Sequence, residues 1–176
     1  GKQYMKISAK TDVGKVRSNN QDSYAAGDLT SEVSWAVVCD GMGGANGGNI
    51  ASEAAVKVIS DKLTSGYHVG MNDNSIKHLL ISSVEAANST LYSMANNNEE
   101  LSGMGTTVVL AVRNSDTLYI SNVGDSRIYV VSESGITQVT TDHSVVQMMI
   151  DNGEISPEEA KDHPKKNVIT RALGVD

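Results

Sequence analysis

The sequence predicts an α+β fold of stacked layers, strands inside and helices outside, and three observations lead to it. Two long segments each carry a single apolar stripe at helical spacing. Several short β-branched runs are separated by turn-forming residues instead of helices, which points to antiparallel pairing. Val37-Val38 and Val108-Val109-Leu110 are apolar on successive residues, which predicts strands buried on both faces.

The elements follow in chain order. Residues 3–10 alternate, with Tyr4, Lys6 and Ser8 against Met5, Ile7 and Ala9, and read as a first strand. A polar loop over 11–21 comes next, then strands at Ser23–Gly27 and Val33–Cys39 joined by the turn Asp28-Leu29-Thr30-Ser31. Beyond a glycine-rich loop, Ile50, Ala51, Ala54, Ala55, Val58, Ile59 and Leu63 predict a helix over 47–64. Ile76, Leu80, Val84, Ala87, Leu91 and Met94 predict a second, longer helix that stops at Asn96-Asn97-Asn98. The period then changes: Thr106–Val112, Thr117–Asn122 and Arg127–Val131 read as an antiparallel meander. Ser144–Asn152 reads as a short helix stopped by Gly153, with Asp142 as the expected cap, and Ser156-Pro157-Glu158-Glu159 is a capping box with proline at the first helical position. Together these make a small helical insertion over 143–163.

Composition bounds the function. A chain of 176 residues fits one domain, with 39% hydrophobic residues and a core of aliphatic side chains, since it has no Phe and one Trp. No apolar run approaches the ~20 residues of a membrane helix, the first residues show no signal-peptide pattern, and a single cysteine fits a reducing, cytoplasmic setting. The net charge of -7 excludes nucleic acid as the expected partner. It is compatible with an anionic substrate only where bound divalent cations reverse the local field.

The chemistry concentrates at Cys39-Asp40-Gly41-Met42-Gly43-Gly44, where a strand ends in one aspartate and the chain then sheds its side chains. A strand-end carboxylate with a glycine carbonyl beside it offers hard oxygen ligands suited to Mg²⁺ or Mn²⁺. Asp22 and Asp125 lie in similar clusters, each near an arginine at the edge of an apolar segment, and Arg17 can bring a planar fork to a phosphate. These parts suit hydrolysis of a phosphate ester by a metal-activated water. Other chemistries fit poorly. The histidines at 68, 78, 143 and 163 give no zinc spacing. Cys39 reads as a small buried residue, because Ala45 stands where a cysteine phosphatase needs an arginine. Met42 excludes the second aspartate of an aspartyl-phosphate mechanism, and the glycines at 41–48 lack the Lys and Ser/Thr of a nucleotide loop. Gly105-Thr106-Thr107 reads as a structural strand start packed near the site.

Taken in order, Val16-Arg17, Asn20-Gln21-Asp22, Asp40-Gly41-Met42-Gly43-Gly44, Gly105-Thr106-Thr107, Val123-Gly124-Asp125-Ser126-Arg127, Thr141-Asp142-His143-Ser144 and Ile169-Thr170-Arg171-Ala172-Leu173-Gly174 resemble the metal-dependent protein Ser/Thr phosphatases of the PPM, or type 2C, family, and most closely its compact bacterial members. The resemblance runs from about residue 5 to the C-terminus. It implies a four-layer α-β-β-α sandwich of two antiparallel sheets flanked by helices. It implies that Asp40 bridges two catalytic metals, Mn²⁺ or Mg²⁺, that the Gly41 carbonyl ligates one of them, and that Asp22 sits near that same ion. It further implies that Arg17 grips the substrate phosphate, that Asp125 helps hold a third, weaker metal, and that 143–163 is a flap beside the site. The substrates would be Ser/Thr-phosphorylated proteins, with a cognate Ser/Thr kinase as partner.

Three departures shape further expectations. The family's two C-terminal aspartate motifs are expected beyond Asp176, so the chain reads as a single phosphatase domain lacking its C-terminal part, expected to be marginal or to self-associate. Met42 stands where many eukaryotic members have a histidine general acid, and it cannot donate a proton. Gln21 replaces a carboxylate often found there. The alternative function consistent with these departures is a non-catalytic phosphoprotein-binding or regulatory module on the same fold.

Overall fold

The computed structural model describes residues 5–44 and 47–176. The chain begins its regular structure with β1 (Asp22–Asp28) and β2 (Val33–Met42), an antiparallel hairpin in which Asp22 stands opposite Asp40 and Tyr24 opposite Val38. Two helices follow, α1 (Gly47–Gly66) and α2 (Asp73–Asn97). The chain returns to the sheet with β3 (Gly105–Thr106), β4 (Val108–Asn114) and β5 (Thr117–Val123). The order is β1-β2-β4-β5, with β3 paired to the far end of β2, and all of these pairs are antiparallel. A second antiparallel sheet is the hairpin β6 (Tyr129–Ser132) and β7 (Gly135–Gln138), after which come α3 (Val145–Asp151) and α4 (Pro157–Ala160). The α+β class with two antiparallel sheets and flanking helices is as expected.

The core lies between the helix pair and one face of the larger sheet. Alternate residues of β2, namely Val33, Trp35, Val37 and Cys39, point at Ala51, Ala55, Ile59 and Leu63 of α1, while Leu110 and Val112 of β4 extend the same face. Ile76, Leu80, Ala87 and Leu91 of α2 close the layer, so both helical stripes bury as the spacing predicts. Asn72 caps α2 by accepting a hydrogen bond from the Ser75 amide, and Ser156 caps α4 in the expected capping box.

Several expectations are corrected. Residues 5–10 form no strand, and residues 3–4 lie outside the described residues. Ile7–Thr11 lie over Tyr24, Ala26, Ala36 and Val38 on the open face of the sheet instead of along an edge, so there is no ladder for their amides to join. For the same reason Val38 is not buried: it faces this thinly covered side and remains 43% exposed, whereas Val109 is buried. The stretch Thr106–Val112 is two strands, since β3 pairs with β2 and β4 starts afresh at Val108. The meander also stops at β5, because β6 pairs with β7, a strand that sequence periodicity missed.

Candidate active site

Asp40 does not end its strand. β2 continues through Gly41 and Met42 because β3 supplies backbone partners there, Gly41 opposite Thr106 and Met42 opposite Gly105. The carboxylate is therefore mounted on a strand held from both sides: the Asp40 amide donates to Thr107 Oγ1 at 3.1 Å, and the Thr107 amide donates to the Asp40 carbonyl at 2.9 Å. Thr107 Oγ1 also shares a hydrogen bond with Ser126 Oγ at 2.7 Å, which ties the Asp125 loop to the same point. Gly41 is required by space. A Cβ there would lie 1.9 Å from the Gly48 carbonyl oxygen at the start of α1, and its amide donates to the Gln21 carbonyl at 3.0 Å. The glycine-rich loop thus lets the first turn of α1 press against the strand, and its residues Ala45 and Asn46 lie outside the described residues.

These elements surround a cleft of about 500 Å³ lined by Arg17, Gln21, Asp40, Gly41, Thr107 and Asp125, with Met42, Gly43, Asn167 and Ile169 completing the wall. Asp22 reaches the same place from the neighbouring strand, opposite Asp40. The Asp40 carboxyl is pushed up to about 6, first by burial, then by the charge of Asp22 and a hydrogen bond with it, then by Asp125, with Arg17 acting in the opposite direction. All five sequence-selected residues, Arg17, Asp22, Asp40, Gly41 and Asp125, come together, although they span more than a hundred positions of the chain.

The donor set fits a hard divalent cation. Asp22 and Asp125 both raise the proton affinity of Asp40, and a cation among the three carboxylates relieves that repulsion. Among the described residues no three His, Cys, Asp or Glu side chains enclose an ion by themselves, so carbonyl oxygens such as that of Gly41, together with water, would have to complete any coordination shell.

Asp142 has a different role from the one expected, and its neighbour His143 has one that the sequence did not suggest. Asp142 is not the cap of α3; Ser144 is, accepting from the Gln147 amide at 3.2 Å. Asp142 instead takes a two-pronged pair from Arg127, at 2.9 and 2.7 Å, which joins the residues just before β6 to the segment before α3 and raises the arginine's already high proton affinity. His143 clamps the Asp125 loop: the Gly124 amide donates to its Nδ1 at 3.1 Å and its own amide donates to the Gly124 carbonyl at 2.8 Å. Burial, and then the nearby Arg171, lower its pKa, so the neutral acceptor form is favoured. The Ile169–Gly174 motif docks by backbone bonds between Leu173 and Thr106, and the Gly174 amide donates to Asn88 Oδ1 at 2.8 Å. Asn167, which lines the cleft, stood in no motif and carried no sequence signal. Cys39 is fully buried and its thiol is pushed up to about 12 by that burial, as befits an inert core residue.

A layered α+β scaffold that gathers aspartates and an arginine at the end of its central hairpin fits a phosphate-handling, cation-binding class of protein. The sequence model of the family described as protein phosphatase 2C matches residues 14–163, and the chain belongs to that family. The serine/threonine phosphatase stp of Listeria welshimeri is 37% identical over 169 residues, covering 95% of this chain and 66% of its own length. The structure of the Streptococcus agalactiae serine/threonine phosphatase superposes with a TM-score of 0.88 at 35% identity, covering 98% of this chain and 70% of that one. The catalytic domain of PstP, solved with two manganese ions, gives a TM-score of 0.76 at 32% identity, covering 94% of this chain and 65% of that one. The chain thus spans about two thirds of the length of the curated relatives it matches.

Proposed function

We propose that this domain is a metal-dependent phosphoprotein phosphatase hydrolysing phosphoserine and phosphothreonine. The observation that carries the reading is the convergence of Asp22, Asp40, Asp125 and Arg17 on one cleft within the type 2C fold. Asp22, Asp40 and the Gly41 carbonyl would hold two ions and Asp125 would help hold a third. When bound, such ions supply water of lowered pKa as nucleophile and offset the charge of the phosphate. Manganese is favoured over magnesium by the manganese-bound PstP relative.

The chain's own residues do the remaining work. Arg17 stands on the cleft wall, where its guanidinium donates to two phosphoryl oxygens and lines the ester up for attack. Thr107 fixes the backbone on both sides of Asp40, so the carboxylate does not swing as charge builds in the transition state. Met42 holds no proton to give, so the leaving hydroxyl is protonated by water and not by a side chain at that position. The helical unit over 143–163 acts as a flap, which its lining of a groove next to the cleft supports. A cytoplasmic, bacterial setting with a Ser/Thr kinase acting in opposition is in keeping with the bacterial relatives and the single buried cysteine.

The test is phosphate release from a phosphothreonine peptide with and without Mn²⁺. Manganese-dependent release that disappears in Asp40→Asn is expected; release unchanged by that substitution overturns the assignment. Arg17→Ala should raise KM more than it lowers kcat, and the opposite split contradicts its role as the phosphate grip.

A further inference from the structure

A second cleft, of about 460 Å³, opens beside the first, and Asp125 and Asn167 line both, so the two are continuous. Its floor is apolar, with Val146 and Ile150 from α3 and Pro157 and Ala160 from α4. Its charged lining is Arg127, Lys161 and Lys166 against Asp125 and Asp142, three cations to two carboxylates. Lys161, at the C-terminal cap of α4, and Lys166, in the turn that follows, both line the groove and both are exposed. Among the described residues the ion pairs are Lys57–Asp61 and Arg127–Asp142, so neither of these lysines has an acidic partner. Two nearby carboxylates are already engaged: Asp142 by Arg127, and Glu159 by the Ser156 amide in the α4 cap. With Arg127 and Asp142 cancelling, the two lysines outweigh Asp125 by one charge, so the groove lining is net positive on a chain of net charge -7.

We propose that this groove receives the residues flanking the phosphorylated side chain and that Lys161 and Lys166 select acidic residues there. The inference rests on the phosphatase reading above and deepens it, naming acidic phosphopeptides as the favoured substrate class. A peptide whose phosphate lies against Arg17 and Asp40 leaves the cleft past Asp125 and Asn167, and the groove is the continuation of that path. The apolar floor takes the aliphatic stems of its side chains while the rim pairs with their carboxylates. The molecule's overall negative field opposes acidic ligands, so any preference for them must come from a local positive site. Exposed charge pairs are each worth a factor of about 1.5 to 5, so two of them give a total preference of about 2- to 25-fold that salt should screen.

The test is binding of fluorescein-labelled peptides bearing a non-hydrolysable phosphonate analogue of phosphoserine, flanked by either glutamate or glutamine, measured by anisotropy in Mn²⁺. The expected result is about 2- to 25-fold tighter binding of the glutamate peptide, lost in a K161Q/K166Q double variant and in 0.5 M salt, and retained in K77Q, a remote exposed lysine on α2. Equal binding of the two peptides, a preference that survives K161Q/K166Q, or no binding of either peptide overturns the inference. Hydrolysis of p-nitrophenyl phosphate by the unaltered chain, a substrate with no flanking residues, reports on the phosphatase reading alone and keeps the two failures distinguishable.

Discussion

Replacing Asp40 by asparagine should make the metal-free protein more stable while removing its metal response. The Asp40 carboxyl is raised from an ordinary 3.8 to about 6, by burial first and by Asp22 and Asp125 next. A carboxyl whose folded pKa lies above its unfolded value is most favourable when protonated. Its contribution is fully present below 3.8 and is lost as pH rises through about 6, so at neutral pH the ionised group works against folding. The interval from 3.8 to about 6, at about 1.36 kcal/mol per pH unit, gives an upper bound of about 3 kcal/mol. The cleft walls desolvate the Asp40 carboxyl only in part, since the residue stays open to solvent on the cleft side, and screening reduces this to about 1 kcal/mol. Asparagine keeps the shape and the donor toward Asp22 but carries no charge. In EDTA at pH 7.5, Asp40→Asn should therefore melt about 2–4 °C above the unaltered protein. The gap should close near pH 4, where the native carboxyl is protonated; reading the difference between the two proteins cancels acid effects at other groups. Added Mn²⁺ should reverse the order, because only the protein that binds it gains from mass action. A metal-free Asn variant no more stable than the parent at pH 7.5 would refute the view that these carboxylates repel one another in wait of a cation.

Gly41→Ala should lower stability by about 3 kcal/mol or more in urea titrations, since its Cβ would stand 1.9 Å from the Gly48 carbonyl and only a shift of the α1 start relieves the clash; an Ala variant as stable as the parent would contradict the packing described. His143 should titrate below its ordinary value of 6.5 by NMR. The stability it contributes through Gly124 should be present above 6.5 and lost as pH falls through the folded value, with faster exchange of the Gly124 amide marking the loss. Cys39, with its thiol pushed up to about 12 and no exposed surface, should resist thiol reagents in the native protein and react at the rate of unfolding. Rapid native labelling would show that the β2–α1 core opens far more readily than its packing implies.

Most of the fold could be read locally. The stripe Ala51, Ala55, Ile59, Leu63 and its counterpart Ile76, Leu80, Ala87, Leu91 were legible because helical periodicity is a property of a short window. Strand limits were less legible. β2 runs on through Asp40-Gly41-Met42 because Gly105 and Thr106, far along the chain, pair with it there, and no local feature of an Asp-Gly step announces that. The N-terminal alternation failed for the converse reason: Ile7–Thr11 have a strand-like pattern but lie across a sheet face, where no backbone partner is available.

At the site the division is similar. Residue type and order determined which side chains are suited to the chemistry, since hard-oxygen ligands and a guanidinium fork suit phosphate and cations wherever they meet, and Arg17, Asp22, Asp40, Gly41 and Asp125 could be picked out from the chain alone. Tertiary structure decided what those groups became. The closing of the cleft desolvates Asp40, and the pairing of β1 with β2 sets Asp22 against it, which together raise its proton affinity; Thr107 and His143, brought in from distant segments, hold Asp40 and the Asp125 loop in register. Asp142, an apparent helix cap by sequence, became the partner of Arg127 because a neighbouring serine satisfied the helix while a cation arrived across space. Chemical capacity belongs to the residue and is written in the sequence. Proton affinity, orientation and partnership depend on distance between segments, and those distances exist only once the chain has folded.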